Sequence, residues 1–93
     1  MVRLYAAHGN SGALLRLRYR VSDNRGHTSE RISVYRRTKL LKRFARPLRA
    51  TDSAVAYWVM WRAPERAGRF RFCVRAADGA GNSASACAAV TVR

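Results

Sequence analysis

The feature that most constrains this chain is a series of short stretches in which apolar and polar residues alternate one by one. In LLRLRYRV (14–21), arginines alternate with apolar side chains. A period of two places alternate side chains on opposite faces of an extended strand, so the pattern predicts half-buried β-strands. Six further stretches have the same character: 2–6, 31–37, 40–45, 55–61, 69–76 and 86–92. No comparable window shows a 3.6-residue apolar period, although 36–49 has room for a helical turn.

Segments rich in Gly, Asn, Asp, Pro and Ser separate these stretches and predict turns. They are residues 8–12, 22–26, 46–53, 63–68 and 78–83. Within them, four residues are expected to have turn roles: Gly68, Asp78, Gly81 and Asn82. Seven short strands with this spacing predict an all-β fold, an antiparallel β-sandwich. With 93 residues, the chain has enough length for a single domain over 1–93 with one core.

The two cysteines lie on either side of the last predicted turn. Cys73 and Cys87 are equally distant in sequence from residue 80, so they face each other if strand 69–76 pairs with strand 86–92. Both then lie on the outward face, where directly opposed side chains come close enough for a disulfide. Such a bond closes a loop of about 15 residues and stabilises the fold by about 3 kcal/mol in the chain-entropy model.

Other roles for this segment fit the residues less well. A zinc site usually needs four ligands, and the only histidines, His8 and His27, lie in predicted loops. A phosphate-binding glycine loop needs a helix after it, whereas a strand is predicted here. A calcium loop built from Asp78 and Asn82 lacks further oxygen ligands, and a catalytic thiol lacks a neighbouring base. We therefore predict no metal and no cofactor.

The formal net charge is +14, from 19 Lys and Arg against five Asp and Glu. An excess of this size favours anionic partners such as nucleic acid, an anionic membrane or an acidic cell-wall polymer. A coding bias towards arginine and alanine explains the same composition without a function. By alternation, Arg69, Arg71 and Arg75 share the outward face of one strand with no acidic residue among them. That row is either an anion-binding surface or an incidental solvated face.

Three aromatic residues stand close together in VAYWVMW (55–61). Alternation puts Tyr57 and Trp61 on one face and Trp58 on the other. If Trp61 is in the core, Trp58 points outward and can stack on arginines of the neighbouring strand. A sugar-stacking platform is the alternative to this combination of core and surface packing.

The segment WRAPERAGRFRFCVRAADGAGNSASACAAVTV (61–92) resembles the closing half of bacterial immunoglobulin-like and fibronectin type III-like modules. The shared pattern is a Trp-bearing strand, a Gly-led turn, an aromatic-x-aromatic-x-Val-x-Ala strand and an Asp-x-Ala-Gly-Asn-x-Ser turn. It is matched here by Trp61, Gly68, Phe70, Phe72, Val74, Ala76 and 78–83. The stretch LRLRYRVSDNRGHTSERISVY (15–35) resembles an earlier hairpin of the same modules.

The resemblance implies a seven-stranded Greek-key sandwich that is immunoglobulin-like, extracellular or at the cell surface, and not an enzyme. Such modules act as spacers, adhesive units or accessories beside other domains of a parent protein. The implied topology places strand 31–37 beside strand 69–76, which adds Arg31, Arg37 and Tyr35 to the arginine row. The modules carry no catalytic residues to transfer, and neighbouring domains of a parent protein are the partners that the resemblance implies. The basic charge adds anionic cell-wall or surface polymers as expected partners.

Two further observations bear on the cellular compartment expected for the chain. No stretch approaches the roughly 20 consecutive apolar residues that span a bilayer, and the N-terminus has no apolar core of a signal peptide. The chain is therefore expected in the cytoplasm if it is complete, or outside the cell if it is a fragment of a longer secreted protein.

Three functional hypotheses follow from these residues. The first is a structural or adhesive extracellular module with a disulfide and a basic face. The second is a small cytosolic basic domain that binds nucleic acid without specificity, although no recognisable nucleic-acid motif supports it. The third, an enzyme, lacks a Ser/His/Asp set, a carboxylate pair in one loop and an HExxH motif.

Overall fold

The computed structural model describes residues 2–23 and 26–93, and these ranges form eight β-strands without a helix. The strands are β1 (Val2–Leu4), β2 (Ala7–Gly9), β3 (Leu14–Val21), β4 (His27–Arg36), β5 (Lys39–Ala50), β6 (Tyr57–Arg62), β7 (Gly68–Ala77) and β8 (Ser83–Val92). The all-β prediction is confirmed. The turn predicted at 22–26 includes Asn24 and Arg25, which lie outside the described residues.

The strands form two sheets that share one core. The first sheet has three strands in the order β1-β3-β6, and the second has five in the order β2-β8-β7-β4-β5. Inward side chains of both sheets belong to a single buried cluster, an arrangement compatible with a β-sandwich. In chain order, the polypeptide changes sheet five times, after β1, β2, β3, β5 and β6.

The core consists of the alternating apolar side chains that the sequence pattern singles out. The largest fully buried ones are Tyr19, Phe72, Leu17, Ile32, Val21, Val34, Val59, Val74 and Val90. Trp61 from the first sheet packs edge-on against Phe70 from the second, with ring centroids 5.5 Å apart. Burial of side chains of this size is the main source of stability in a domain this small.

The predicted count of seven strands is wrong because the N-terminal segment forms two strands in different sheets. β1 pairs antiparallel with β3, whereas β2 pairs with β8 in parallel, so the sheets are not wholly antiparallel. His8 and Gly9, placed in a turn by the sequence, are strand residues. A Cβ at Gly9 would overlap the side chain of Leu15, so glycine permits this close approach of β2 to β3.

The region after β4 also differs from the prediction. β5 runs through residues 39–50 as the outer strand of its sheet, so neither a helical turn within 36–49 nor a turn beginning at residue 46 is present. Pro47 lies where the register between β4 and β5 shifts. A proline, which has no N–H to donate, is tolerated at a bulge on an edge strand, although in sequence it reads as a turn signal.

Candidate functional site

The predicted disulfide between Cys73 and Cys87 is confirmed. Cys73 of β7 lies directly opposite Cys87 of β8, with Cα atoms 4.0 Å apart. Antiparallel strands bring side chains closest at such short-spaced pairs. Cys73 alternates with the fully buried Phe72 and Val74, so the bond lies on the outer face of the five-stranded sheet.

Arginines surround the disulfide on this outer face. Arg31 of β4 lies opposite Arg75 of β7, and Tyr35 of β4 lies opposite Arg71 of β7. The Arg71 guanidinium carbon lies 5.2 Å from the centroid of the Tyr35 ring, which holds that cation over the aromatic face. We define the disulfide face as the set of outward residues at its centre: Arg31, Ser33, Tyr35, Arg71, Cys73, Arg75 and Cys87.

The remaining predicted arginines lie at the margin of the disulfide face. Arg69 is outward on β7 but lies opposite Thr91 of β8. Arg37 follows the end of β4 in a turn, with φ of 56°, and so is not part of the strand. The structure adds Arg43, which the sequence did not single out; its Nε donates to Ser33 Oγ at 3.4 Å.

No carboxylate lies on the disulfide face. Of the five acidic residues, Glu30 points into the core and the others lie outside the strands. Those others are Asp23, Asp52, Glu65 and Asp78. Like charges directly opposed across strands repel each other, so the pair Arg31 and Arg75 reduces stability unless an anion lies between them. The face therefore presents several guanidinium groups suited to phosphate or carboxylate.

The turn between β7 and β8 is held by Asp78. Its Oδ1 accepts hydrogen bonds from the backbone N–H groups of Ala80 and Asn82, both at 2.9 Å. Asn82 Nδ2 donates to Asp78 Oδ2 at 3.1 Å, and Gly81 adopts a φ of 90° that glycine tolerates. Gly68, assigned to the preceding turn from sequence, is the first residue of β7.

The aromatic segment divides between the core and the surface. Trp61 is buried, whereas Trp58 points outward with 47% of its surface exposed. The guanidinium carbon of Arg16, on the neighbouring β3, lies 5.1 Å from the centroid of the Trp58 ring. Trp58 therefore stacks on an arginine of the adjacent strand, as the sequence pattern predicts.

A buried polar network that was not predicted from the sequence lies inside the fold. The side chain of Glu30 is fully buried, and its Oε1 accepts from the Tyr19 hydroxyl at 3.0 Å and from Arg49 at 2.8 Å. Burial, with a smaller effect of the Glu30 charge, raises the pKa of Tyr19 to about 12. The sequence does contain an indication of this network. Thr28 and Glu30 stand at alternate positions with Ile32, so all three side chains point to the inner face of β4.

Arg49 extends this network to the open edge between the sheets. Its guanidinium carbon lies 4.6 Å from the centroid of the Tyr57 ring, and the Tyr57 hydroxyl accepts from the backbone N–H of Asp52 at 2.8 Å. Because Tyr19 is in β3, Glu30 in β4 and Arg49 in β5, these contacts join the two sheets. Partners from within the fold surround the carboxylate, which indicates a structural role.

Two further properties limit the chemistry of the described residues. Within 2–23 and 26–93, no three His, Cys, Asp or Glu side chains are close enough together to hold a metal ion. The same ranges contain no helix that is long and apolar enough to cross a membrane. His27, expected in a loop, is the first residue of β4.

Taken together, the fold and the site define an all-β protein of two sheets with a cross-strand disulfide and a basic outer face. No family model, curated protein or solved structure matches this chain.

Proposed function

We propose that this protein is a non-enzymatic structural, spacer or adhesive module of the immunoglobulin-like class, in a secreted or cell-surface protein, and that its disulfide face contacts anionic polymers. The order of the strands supports the class. Seven-stranded immunoglobulin domains place strands A, B, E and D in one sheet and C, F and G in the other. The division of β1, β3 and β6 from β4, β7 and β8 corresponds to A, B and E against C, F and G, whereas β5 lies beside β4 in the second sheet.

The Greek-key connection is supported by repeated passages of the chain between the sheets, which occur after β1, β2, β3, β5 and β6. The protein departs from antibody domains in its disulfide, which joins β7 and β8 of one sheet, whereas theirs joins strands B and F of different sheets. A disulfide on an exposed surface favours an oxidising compartment, because reducing conditions in the cytosol keep such thiols free.

One observation carries the proposed contact with polymers. Arg31, Arg71 and Arg75 converge around the disulfide on a face that holds no carboxylate. The planar guanidinium group makes bidentate hydrogen bonds to phosphate and carboxylate, and an extended polymer presents such groups in series. An anion at this face would also relieve the repulsion between Arg31 and Arg75.

The test is binding of poly(glycerol phosphate), an anionic polymer without rings. Changing Arg31→Gln, Arg71→Gln and Arg75→Gln together should weaken its binding by at least about tenfold, since hydrogen bonds to charged groups are the strong ones. The control changes the same number of charges at exposed residues away from the disulfide face, Lys39→Gln, Arg66→Gln and Arg93→Gln. Equal losses in the two variants would mean that only diffuse charge attracts the polymer and would overturn the proposed face.

A further inference from the structure

The outer face of the three-stranded sheet is a second basic surface, on the opposite side of the molecule from the disulfide face. β3 places Arg16, Arg18 and Arg20 outward, between fully buried or nearly buried neighbours. Arg3 of β1 lies opposite Arg20, which adds a fourth cation. None of the five acidic residues lies in β1, β3 or β6.

This surface carries two aromatic rings among its arginines, whereas the disulfide face carries one, Tyr35. Three guanidinium carbons surround the Tyr5 ring, those of Arg18 at 5.5 Å, Arg3 at 5.8 Å and Arg20 at 6.0 Å from its centroid. Trp58 lies opposite Arg18 in the ladder and beneath Arg16. We define the Trp58 face by these residues: Arg3, Tyr5, Arg16, Arg18, Arg20, Trp58 and Met60.

The surface is not flat. A depression of 580 Å³ is lined by Tyr5, Arg16, Arg18 and Met60 together with residues of the adjoining segments. A second depression of 220 Å³ lies beside Arg3 and Arg20. The larger volume falls in the range of small-molecule sites. Trp58 lines a different depression, of about 500 Å³, together with Val55, Tyr57 and two arginines of β5.

We propose that the Trp58 face binds single-stranded polynucleotide, with successive phosphates on the arginines of β3 and a base stacked on Trp58. This goes beyond the proposed function, which concerns the opposite face and polymers without rings. Arginines two residues apart on a strand are separated by about 6.8 Å, which resembles the separation of neighbouring phosphates in an extended single strand.

The exposed ring of Trp58 favours an anion that carries aromatic bases over one that carries charge alone. Arg16 covers the Trp58 ring from one side, yet 47% of the residue remains exposed, which leaves surface for a base. Every nucleobase has a π-face, so stacking on an aromatic side chain among cations is the usual mode of single-strand binding without sequence preference. Polyphosphate has no ring, and the sugar rings of acidic polysaccharides have no π-face. A duplex keeps the faces of its bases stacked and inaccessible.

The test compares an oligothymidylate with polyphosphate of equal charge and follows both by tryptophan fluorescence. Of the two tryptophans, Trp61 is buried, so quenching on binding reports on Trp58. We expect the oligothymidylate to bind at least tenfold more tightly than polyphosphate and to quench the fluorescence. Trp58→Leu should weaken oligothymidylate binding by roughly tenfold or more, whereas Trp58→Phe, which keeps a stacking ring, should retain most of it.

The phosphate contacts are tested separately by salt dependence. Arg16→Gln together with Arg18→Gln should reduce the slope of log affinity against log salt by about 1.4, since each contact with a single strand contributes about 0.7. The matched control, Arg66→Gln with Arg93→Gln, removes the same charge at exposed residues that belong to neither face and should leave the quenching by oligothymidylate intact.

Two results would overturn the proposal. The first is equal affinity for polyphosphate and oligothymidylate with no effect of Trp58→Leu, because the face would then offer charge alone. The second is a loss from the control pair as large as that from Arg16 and Arg18. Unchanged melting temperatures establish that the variants are folded. Neither result bears on the disulfide face, which is tested with a different polymer and different arginines.

Discussion

At the scale of single residues, Glu30 and Tyr19 carry the most demanding interaction in the core. A buried carboxylate is costly unless it is paired, and Glu30 is surrounded by the hydroxyl of Tyr19, the guanidinium of Arg49 and the hydroxyl of Thr28. Arg49 is in turn held against the ring of Tyr57. The network thereby orients β5 relative to the other sheet while leaving the charge compensated.

Burial of Tyr19, together with its contact with Glu30, predicts how the free energy of unfolding depends on alkaline pH. Tyr19 has its pKa raised from 10.0 to about 12 in the folded protein, so the unfolded chain loses this proton first. The free energy of unfolding should therefore fall between pH 10 and 12, by at most about 3 kcal/mol from this group. Chemical denaturation across this range measures the slope.

The control for the alkaline slope is Tyr19→Phe, which removes the titrating hydroxyl and keeps the ring. Its free energy of unfolding should be lower at neutral pH, because Glu30 loses one hydrogen bond, but should fall less steeply above pH 10. An identical slope in both proteins would show that Tyr19 ionises in the folded state as readily as in the unfolded chain.

At the scale of strands, alternation in the sequence correctly predicts which residues of a strand face the core. It does not predict strands whose formation depends on contacts with distant parts of the chain. The inward faces of β3 and β7, and the pairing of Cys73 with Cys87, follow from a period of two. β2 does not, because three residues are too short to show a period and their partner is distant in sequence.

The edge strand β5 and the buried network around Glu30 also depend on contacts that the local sequence does not specify. Pro47 and the surrounding charged residues resemble a turn, yet an outer strand accepts them because one of its sides pairs with nothing. The partners of Glu30 come from β3 and β5, and alternation alone does not bring those strands together. Likewise, the Trp58 face arises from pairing of β1 and β6 with β3, which no local pattern specifies.

The disulfide supports a prediction at this scale. Changing both Cys73→Ser and Cys87→Ser should lower the free energy of unfolding by about 3 kcal/mol, through a less restricted unfolded chain. For a domain of this size the melting temperature should fall by roughly 12–24 °C. Because the bond lies outside the core, we expect the circular dichroism of the folded state to be unchanged.

The control for the disulfide is the unaltered protein with reductant, which should melt at the temperature of the double variant. A melting temperature that is the same with and without the bond would show that the covalent link contributes nothing to stability. Changing both cysteines together avoids the intermolecular disulfides that a single free thiol would form.

At the scale of the whole molecule, the dominant property is a net charge of +14 distributed over both outer faces. Arg3 opposes Arg20 on one sheet, and Arg31 opposes Arg75 on the other. The salt bridge between Arg49 and Glu30 compensates one of the cations. Repulsion between cations therefore outweighs attraction between opposite charges on the surface. Ions that screen this repulsion should stabilise the folded state.

The consequence is that simple salt should stabilise this protein. Raising sodium chloride from about 0.01 M to 0.15 M shortens the screening length from about 30 Å to about 8 Å. The melting temperature should rise by several degrees, as measured by circular dichroism without any polyanion present. A fall over this range would contradict the assignment of net repulsion. The variant with Lys39→Gln, Arg66→Gln and Arg93→Gln should respond less, because it begins with fewer positive charges.

The division of the first strands between two sheets has a consequence for assembly. Residues 2–9 cover one edge of β3 through β1 and one edge of β8 through β2. Removal of residues 2–9 would uncover two unpaired edges at once, on opposite sheets of the same molecule. Each edge can accept a strand from another copy. Loss of this segment would turn a self-contained domain into a unit with two attachment points, the minimum from which a chain of subunits can grow.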